Sequence, residues 1–305
     1  MQLPYSSELC YNAPLNLEAT LFCGQAFRWQ KLTEHTFQGV VYGEIVRLTE
    51  VHQGQILIES TAWRINHQSL SDFTRHYLGL EDSLDDLFPP LFIKNYPHLY
   101  RGASRYFGLR LLRQEPFETL ISFMCAQGIG VALVRRQVLL LSRNFGVFIP
   151  ITEYKFPAPD ALAHAELPRL AQCTNNNWIR ARNIQRVAQA VVNGDLDLTA
   201  LSAPHCHLET ARATLLRYSG IGDKIADCVC LFGLGHRSAF PIDTHVRQYL
   251  SAWFGLSTKT ASLSSKEYQR LANEARGILG DTHAGLAGQL LFHYWRKEVK
   301  HMKAF

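Results

Sequence analysis

Two ionisable residues, Lys224 and Asp243, lie on either side of a short apolar segment and carry the most specific chemical signal in the sequence. Lys224 closely follows a glycine pair, Gly220 and Gly222, and Asp243 comes 19 residues later, just after a proline. The glycines allow a tight turn whose N–H groups can approach a phosphate, and a helix N-terminus adds a positive dipole end. The pattern predicts a phosphate-binding hairpin with an amine and a carboxylate beside it.

Each of these features also has an ordinary structural interpretation. A glycine pair between two apolar helical segments is usually only a tight turn, and an aspartate after a proline usually only caps a helix. The combination at this spacing is much rarer than either feature alone. Two further carboxylates lie nearby, and we expect Asp223 to cap the hairpin helix and Asp227 to be structural.

Residues 218–247 resemble the helix-hairpin-helix, Gly/Pro-rich loop and aspartate signature of DNA repair glycosylases, and among these the 8-oxoguanine DNA glycosylase/lyases. Two distant stretches agree. Residues 22–29, Phe-Cys-Gly-Gln-Ala-Phe-Arg-Trp, are similar to the Gly-Gln-x-Phe-Arg-Trp motif of that family's N-terminal domain. The other stretch is residues 111–118, which lead into residues 122–125. The resemblance runs in the family's order from about residue 15 to about residue 295.

The resemblance implies a lysine nucleophile for a base that is flipped out of duplex DNA. The amine of Lys224 would attack C1′ once its pKa is lowered by desolvation and by nearby positive charge. Asp243 would stabilise the oxocarbenium-like transition state and assist proton transfer. The covalent adduct would open to a Schiff base, and loss of the 2′ proton would expel the 3′ phosphate. The implied enzyme is both a DNA glycosylase and an AP lyase.

Five more residues are carried over as binding residues. The carbonyl of Gly24 would accept the N7–H that distinguishes 8-oxoguanine from guanine, since a residue without a side chain lets the backbone come close to a base. Cys228 and Phe292 would sandwich the flipped purine, although ordinary core packing is an equally good interpretation of Phe292. His245 would contact a phosphate, and Arg180 would lie near the opposite strand.

The chain departs from the family at the residue that reads the edge of the lesion. The family's glutamine precedes the stacking phenylalanine by four residues, where this chain has Gly288, and a glutamine follows at Gln289. One helical step rotates a side chain by about 100°, so the sequence alone does not establish that Gln289 reaches the base.

The residues expected to read the opposite base also differ. Gly128-Ile129-Gly130 replaces an asparagine triplet, Leu133 replaces an arginine, and Ile179 replaces a wedge tyrosine. Gln127 resembles the wedge glutamine of another branch and would fill the vacated stack. We therefore expect intact chemistry with weakened opposite-base readout.

Composition limits the cofactors and partners. The formal net charge of +5 over 305 residues permits DNA binding, and the seven cysteines without framework spacing indicate reduced thiols inside a cell. The last cysteine is Cys230, which excludes the C-terminal iron–sulfur cluster of a related branch. We expect no metal or other cofactor, apart from a monovalent cation left open at the hairpin. The expected partner is double-stranded DNA containing an oxidised purine, bound by a monomer with no membrane attachment.

The hydrophobic pattern predicts an α+β protein. Residues 36–60 alternate as short antiparallel strands, and the chain becomes helical from about residue 70. Helices are predicted at about 116–125, 131–145, 158–172, 180–193, 208–218, 223–234, 243–254, 264–278 and 283–298. We expect a β-rich N-terminal domain with trailing helices over residues 1–114, packed on a larger helical helix-hairpin-helix glycosylase domain over residues 115–305.

Two alternatives remain at the level of sequence. The chain could be a glycosylase for other damaged purines, although Lys224 argues against the alkylated-base branch, which lacks it. It could also be a non-catalytic helix-hairpin-helix DNA-binding protein. The joint presence of Lys224 and Asp243, with Gly24 in a separate domain, favours the enzyme.

Overall fold

A computed structural model describes residues 2–150, 153–258 and 263–302. The N-terminal part is a five-stranded antiparallel sheet in the order β1-β5-β4-β3-β2. Its strands are β1 Tyr5–Cys10, β2 Gln30–Lys31, β3 Thr36–Val41, β4 Glu44–His52 and β5 Gln55–Ser60. Two-stranded hairpins add β6 Arg64–Ile65 with β7 Gln68–Ser69, and β8 Phe148–Ile149 with β9 Glu153–Tyr154. The expected α+β class is confirmed.

The edge strand β1 is not predicted by the sequence pattern. It pairs with β5 from Tyr5 opposite Ser60 to Cys10 opposite Gln55, but only its Leu9 is buried. A strand with one buried side chain has almost no alternation for a periodicity argument to detect. Backbone hydrogen bonds and the neighbouring strand define it instead.

The inner face of the sheet packs around Trp29, the last residue of the 22–29 motif. Trp29 is 2% exposed, and its indole N–H donates to the hydroxyl of Tyr77 at 2.9 Å. Gly39 on β3 lies against this ring, where a Cβ would come within 2.7 Å of Trp29 Cδ2. The end of the motif at Trp29 is therefore part of the sheet core, while its beginning forms the loop that contains Gly24.

The rest of the described chain is mainly helical. The helices are α1 Leu17–Phe22, α2 Leu70–Tyr77, α3 Pro90–Asn95, α4 Pro97–Ala103, α5 Pro116–Cys125, α6 Val131–Phe145, α7 Pro159–Ala163, α8 Leu167–Cys173, α9 Trp178–Val192, α10 Leu198–Leu201, α11 Leu208–Leu216, α12 Asp223–Phe232, α13 Thr244–Phe254, α14 Ser265–Leu279 and α15 Ala284–Tyr294. A π-helical turn, Trp295–Val299, follows α15.

One predicted helix is wrong. The pattern predicts a continuous helix over about 158–172, whereas the structure has α7 and α8 separated at residues 164–166. Pro168 lies in the first turn of α8, where the absence of its N–H costs nothing, and it could not continue a helix from residue 164.

The helices form two apolar cores that meet at the site. One core is built mainly from α5, α6, α9, α11 and α12, and the other from α3, α4, α13, α14 and α15. In the second core, Gly102 of α4 packs so closely on Tyr294 that a Cβ would come within 2.5 Å of the ring. Helices α3 and α4 thus pack on the C-terminal helices, and the division at residues 114/115 stays a prediction.

Candidate active site

The glycine hairpin connects α11 to α12 and presents Lys224 in the first turn of α12. Gly220 has a φ of +90°, and a Cβ there would come within 2.8 Å of Asn183. Gly222 is the N-cap of α12, and no atom would meet a Cβ at that position within 4 Å. The turn therefore requires Gly220, while the open face at Gly222 leaves room for an approaching backbone phosphate.

Lys224 lies over an apolar floor. Its Nζ is 5.9 Å from the centroid of the Phe123 ring, and Phe123 stacks on Phe232 with centroids 5.4 Å apart. Within the described ranges, no ion pair of 4.0 Å or less joins Lys224 to a carboxylate. The amine therefore stands at the positive end of a helix, beside aromatic rings, without a neutralising partner among these residues.

Asp243 is both a helix cap and a cavity residue. Its Oδ1 accepts a hydrogen bond from the backbone N–H of Val246 at 2.8 Å, which makes it the N-cap of α13. Asp243 also lines the same cavities as Lys224. The structural and the chemical interpretation of Asp243 are thus compatible in one residue.

A small pocket of about 70 Å³ collects the residues predicted from the sequence, since its walls include Gly24, Lys224, Cys228, Asp243, Gln289 and Phe292. It adjoins an open groove of about 1500 Å³. The two spaces share Lys224, Asp243 and Phe292. Lys224 and Asp243 therefore lie where the small pocket opens into the groove, which is large enough to hold a segment of a polymer.

The two predicted stacking residues, Cys228 and Phe292, both lie on the pocket wall, but only Cys228 is fully buried. Burial raises the pKa of the Cys228 thiol to about 12, so this thiol is neutral at physiological pH. Phe292 is half-buried and borders both the pocket and the groove. The Arg296 guanidinium lies 5.6 Å from its ring centroid, and the His245 ring meets it edge-on at 6.1 Å. Phe292 is thus a cavity residue as well as part of the second core.

The Gly24 loop is held by the glutamine that follows it. Gly24 has a φ of +92°, a conformation that favours glycine. The Gln25 amide nitrogen donates to the carbonyls of Thr20 and Arg110, each at 2.8 Å, and its oxygen accepts from Leu112 N–H at 2.9 Å. The backbone of the predicted recognition residue is therefore fixed against the segment that connects sheet and helices.

Gln289 reaches the pocket, contrary to the doubt raised by its position in the sequence. Its amide nitrogen donates to the Cys23 carbonyl at 2.8 Å, beside Gly24. Gly288 also borders the pocket and packs on Phe240, where a Cβ would come within 2.4 Å of the ring. The rotation of α15 therefore turns both positions to the pocket, and sequence spacing alone does not fix that rotation.

Gln127 and Arg180 hold the loop beside the hairpin. The exposed Gln127 donates from its amide nitrogen to the Gly220 carbonyl at 2.9 Å. Arg180 is only 8% exposed, and its guanidinium donates to the Gln127 carbonyl at 2.6 Å. Arg180 thus braces the loop from inside in this structure, and its contact with the opposite strand stays a prediction.

His245 lies on the first turn of α13 and faces the groove. Its Nδ1 is buried and makes no hydrogen bond to any described residue. Because Nδ1 is enclosed, a contact with a phosphate would have to come from the part of the ring that lines the groove. The predicted phosphate contact of His245 is compatible with this position.

The expected cap at Asp223 is wrong. Gly222 is the N-cap of α12 and Asp223 is its first helical residue, too late to accept from the N–H groups that a cap satisfies. The Asp223 carboxylate instead accepts from Arg212 at 2.9 Å. The structural interpretation of Asp227 fits its position, since it is 1% exposed and accepts from Arg212 at 2.6 Å.

The groove also contains cations that sequence reasoning did not select. Besides Lys224, its walls include Lys31, Arg135, Arg247 and Arg296. Burial lowers the pKa of Arg296, which is 8% exposed, while the charge of Asp243 acts in the opposite direction. The run of basic residues after Trp295 was the available signal. The positive lining suits a polyanionic ligand.

Among the described residues, no three or more His, Cys, Asp or Glu side chains are grouped as metal ligands. In the same part of the chain, no helix is long and apolar enough to cross a membrane.

Sequence comparison matches nearly the whole chain to two domain families. Residues 9–120 match the 8-oxoguanine DNA glycosylase, N-terminal domain, and residues 121–274 match the HhH-GPD superfamily base excision DNA repair protein. Similar proteins include the N-glycosylase/DNA lyase OGG1 of Arabidopsis thaliana, 30% identical over 288 residues, with 91% of this chain and 76% of the relative covered. The N-glycosylase/DNA lyase of Saccharomyces cerevisiae is 29% identical, with 79% and 67% covered.

Solved structures agree with the sequence comparison. The structure of MBOgg1 in complex with a low affinity DNA ligand is 25% identical, with a TM-score of 0.82 and 97% of each chain covered. The Clostridium acetobutylicum 8-oxoguanine glycosylase/lyase, bound to DNA with cytosine opposite 8-oxoguanine, has a TM-score of 0.79 at 22% identity, with 98% of this chain and all of that chain covered. The family resemblance read from the motifs is confirmed. The chain belongs to the HhH-GPD superfamily of base excision DNA repair proteins, in the branch that carries the N-terminal domain of 8-oxoguanine DNA glycosylases.

Proposed function

We propose that this protein excises 8-oxoguanine from duplex DNA with Lys224 as the nucleophile and then cleaves the DNA strand as an AP lyase. The observation that carries the proposal is the position of Lys224 and Asp243 together at the mouth of the pocket, where it meets the cationic groove. The flipped base would enter the pocket while the phosphodiester backbone stays in the groove. The relatives named N-glycosylase/DNA lyase support this activity.

The chemistry follows from the two side chains. The neutral amine of Lys224 attacks C1′, the C1′–N9 bond breaks, and the base leaves with the bonding electron pair and is protonated. The carboxylate of Asp243 stabilises the positive charge that develops at C1′. The resulting N,O-acetal opens by cleavage of the C1′–O4′ bond, with O4′ taking a proton, to a Schiff base between Lys224 and C1′. Removal of the 2′ proton then breaks the C3′–O bond, and the 3′ phosphate leaves.

Recognition of the lesion is assigned to the pocket walls. The Gly24 carbonyl accepts the N7–H of 8-oxoguanine, and Cys228 and Phe292 contact the two faces of the purine. Stacking on the aromatic ring of Phe292 is worth roughly 1–3 kcal/mol. We assign the edge of the base to Gln289, and its bond to the Cys23 carbonyl beside Gly24 supports this assignment. Gly220, Gly222 and His245 contact the phosphate backbone. Gln127 fills the space that the flipped base leaves in the stack, and Arg180 lies near the opposite strand.

Three further properties belong to this proposal. The protein acts as a monomer on DNA, needs no metal or organic cofactor, and works in a reducing compartment that contains DNA. All seven cysteines are free thiols, which supports the reducing compartment. A monovalent cation at the hairpin carbonyls is compatible with the proposal but is not required by it.

The test uses single-turnover excision and borohydride trapping on duplexes that carry 8-oxoguanine or guanine at one position. We expect rapid excision and a trapped covalent complex only with 8-oxoguanine. A set of duplexes with other oxidised and alkylated purines tests the alternative of a different glycosylase. Tight duplex binding without excision or trapping of any lesion would identify a non-catalytic DNA-binding protein and overturn the proposal.

A further inference from the structure

A buried polar network joins the lysine helix to the loop that carries Asp243. Asp227 Oδ1 accepts from Arg212 Nε at 2.6 Å, and its Oδ2 accepts from the Tyr268 hydroxyl at 2.8 Å. The same hydroxyl accepts from the backbone N–H of Ile242 at 3.0 Å. Arg212, Asp227, Tyr268 and the Ile242 N–H are together called the Tyr268 network below.

The single hydrogen of the Tyr268 hydroxyl determines which groups donate and which accept in the bonds that this hydroxyl makes. A tyrosine hydroxyl has one hydrogen, and here two acceptors are near it, Asp227 at 2.8 Å and the Phe240 carbonyl at 3.4 Å. The carboxylate is the closer and stronger acceptor, so it takes the hydrogen. Burial raises the pKa of Tyr268 well above its ordinary value, which keeps that hydrogen in place. The hydroxyl lone pair is then directed to the Ile242 N–H.

The Tyr268 network spans the two halves of the catalytic pair. Asp227 lies three residues after Lys224, one turn along the rigid helix α12, and Ile242 immediately precedes Asp243. Pro241 has no N–H, so the Ile242 N–H is the first backbone donor after the proline, and it is used on Tyr268. A short, fully bonded path therefore connects the peptide before Asp243 to the turn that carries Lys224.

Stability alone is a poor reason for this arrangement. Tyr268 is 3% exposed and Asp227 is 1% exposed, and buried ion pairs seldom stabilise a fold more than apolar side chains of the same volume would. Arg212 also binds Asp223, at 2.9 Å, which Ser265 joins at 3.2 Å. The cluster thus holds α11, α12, the loop before α13 and α14 in one fixed geometry.

We propose that Tyr268 is a positioning residue that sets the place of Asp243 relative to Lys224 through Asp227 and the Ile242 peptide. This inference rests on the proposed function, because it assigns the network to the same reaction. Tyr268 borders the groove, but its hydroxyl is committed to Asp227 and Ile242, so it acts through Asp243. An error of about 1 Å in a reacting group can cost roughly a hundredfold in rate.

The test is Tyr268→Phe, which removes only the hydroxyl. We expect single-turnover excision of 8-oxoguanine to fall by about tenfold to a hundredfold, while affinity for a duplex with an abasic-site analogue stays within about threefold. Amide hydrogen exchange should become faster at Ile242, while α12 keeps its protection. Tyr77→Phe is the matched control, since its buried hydroxyl accepts from Trp29 in the sheet core. That variant should keep the wild-type excision rate.

A folded Tyr268→Phe variant with a rate within about twofold of wild type, or with unchanged exchange at Ile242, would overturn the inference. If this variant does not fold, Asp227→Asn provides the second test, since it keeps the side-chain shape and removes the charge. It should show the same split between rate and affinity, and equal losses in both would contradict a positioning role. Absence of excision by the wild-type protein would instead contradict the proposed function itself.

Discussion

At the scale of single residues, several side chains combine a structural and a chemical task. Asp243 caps α13 and also stands at the pocket mouth, and Gly24 adopts a positive φ beside the predicted recognition surface. Asp243 was selected by its spacing from Lys224, and Gly24 was selected through the resemblance of residues 22–29 to a family motif. Spacing could not settle the reach of Gln289, because that reach depends on how α15 is rotated against the rest of the fold.

Replacement of Asp243 by asparagine separates its two tasks. The amide oxygen can still accept from the Val246 N–H, so we expect the free energy of unfolding to change by less than about 1 kcal/mol. Excision should slow strongly because the negative charge near C1′ is lost. Chemical denaturation and single-turnover kinetics measure the two effects. A folded asparagine variant with near-normal excision would reduce Asp243 to a cap.

Gln289→Ala tests whether the Gly24 loop must be held for lesion recognition. Loss of the bond to the Cys23 carbonyl should reduce the rate ratio between 8-oxoguanine and guanine, by about fivefold to tenfold for a bond worth about 1 kcal/mol. Gln185→Ala removes a similar bond, to the Ala165 carbonyl at 2.7 Å, far along α9. The control should leave the ratio unchanged. An unchanged ratio in both variants would remove Gln289 from recognition.

At the scale of elements, the periodic segments were predicted well and the irregular ones were not. Helices such as α6 and α12 begin close to their predicted residues, because a glycine precedes each helix and an apolar segment follows it. Strand β1 and the packing of α3 and α4 on the C-terminal helices leave no local pattern. Those features come from tertiary contacts, which a single sequence does not show.

The loop between α5 and α6 determines our expectation for the opposite base. Gly128 presents no side chain, Leu133 cannot donate a hydrogen bond, and Gln127 and Arg180 are bonded within the protein. Each missing base contact typically loses about 1–3 kcal/mol of discrimination. Single-turnover rates for 8-oxoguanine opposite C, A, G and T should therefore lie within about a hundredfold of one another. A preference for C of thousands-fold would show that a residue of this loop or another reads cytosine.

At the scale of the whole molecule, the site lies where the two helical cores and the Gly24 loop meet. Lys224 belongs to a helix of the first core and Asp243 begins a helix of the second. The sheet contributes Gly24 through the segment fixed by Gln25. Changes that loosen the packing between the two cores should therefore lower the excision rate before they unfold the protein.

His293 makes the second core sensitive to acid. It is 6% exposed, its ring packs edge-on against Tyr106 at 4.7 Å, and burial lowers its pKa to about 4. A histidine with a lowered pKa in the folded state contributes stability above its ordinary pKa of 6.5, and that stability is lost as the pH falls to about 4. A shift of this size corresponds to about 3 kcal/mol.

The comparison of wild type with His293→Phe measures this effect. The free energy of urea unfolding should fall more steeply between pH 7 and pH 4 for the wild type than for the variant. The difference in slope should correspond to about one more proton bound by the unfolded state than by the folded state. The phenylalanine ring keeps the contact with Tyr106 and does not titrate. Identical pH slopes for the two proteins would mean that His293 is not the buried titrating group.

Attack of the Lys224 amine on the sugar can be tested by peptide mapping of the borohydride-trapped complex. The trapped protein is digested, and the peptide that carries the reduced sugar adduct is identified by mass spectrometry. We predict the adduct on Lys224, and no trapped complex from Lys224→Gln although that variant still binds damaged duplex, since affinity comes mainly from phosphate contacts. An adduct on another lysine or on the N-terminal amine, or efficient trapping by Lys224→Gln, would contradict the account.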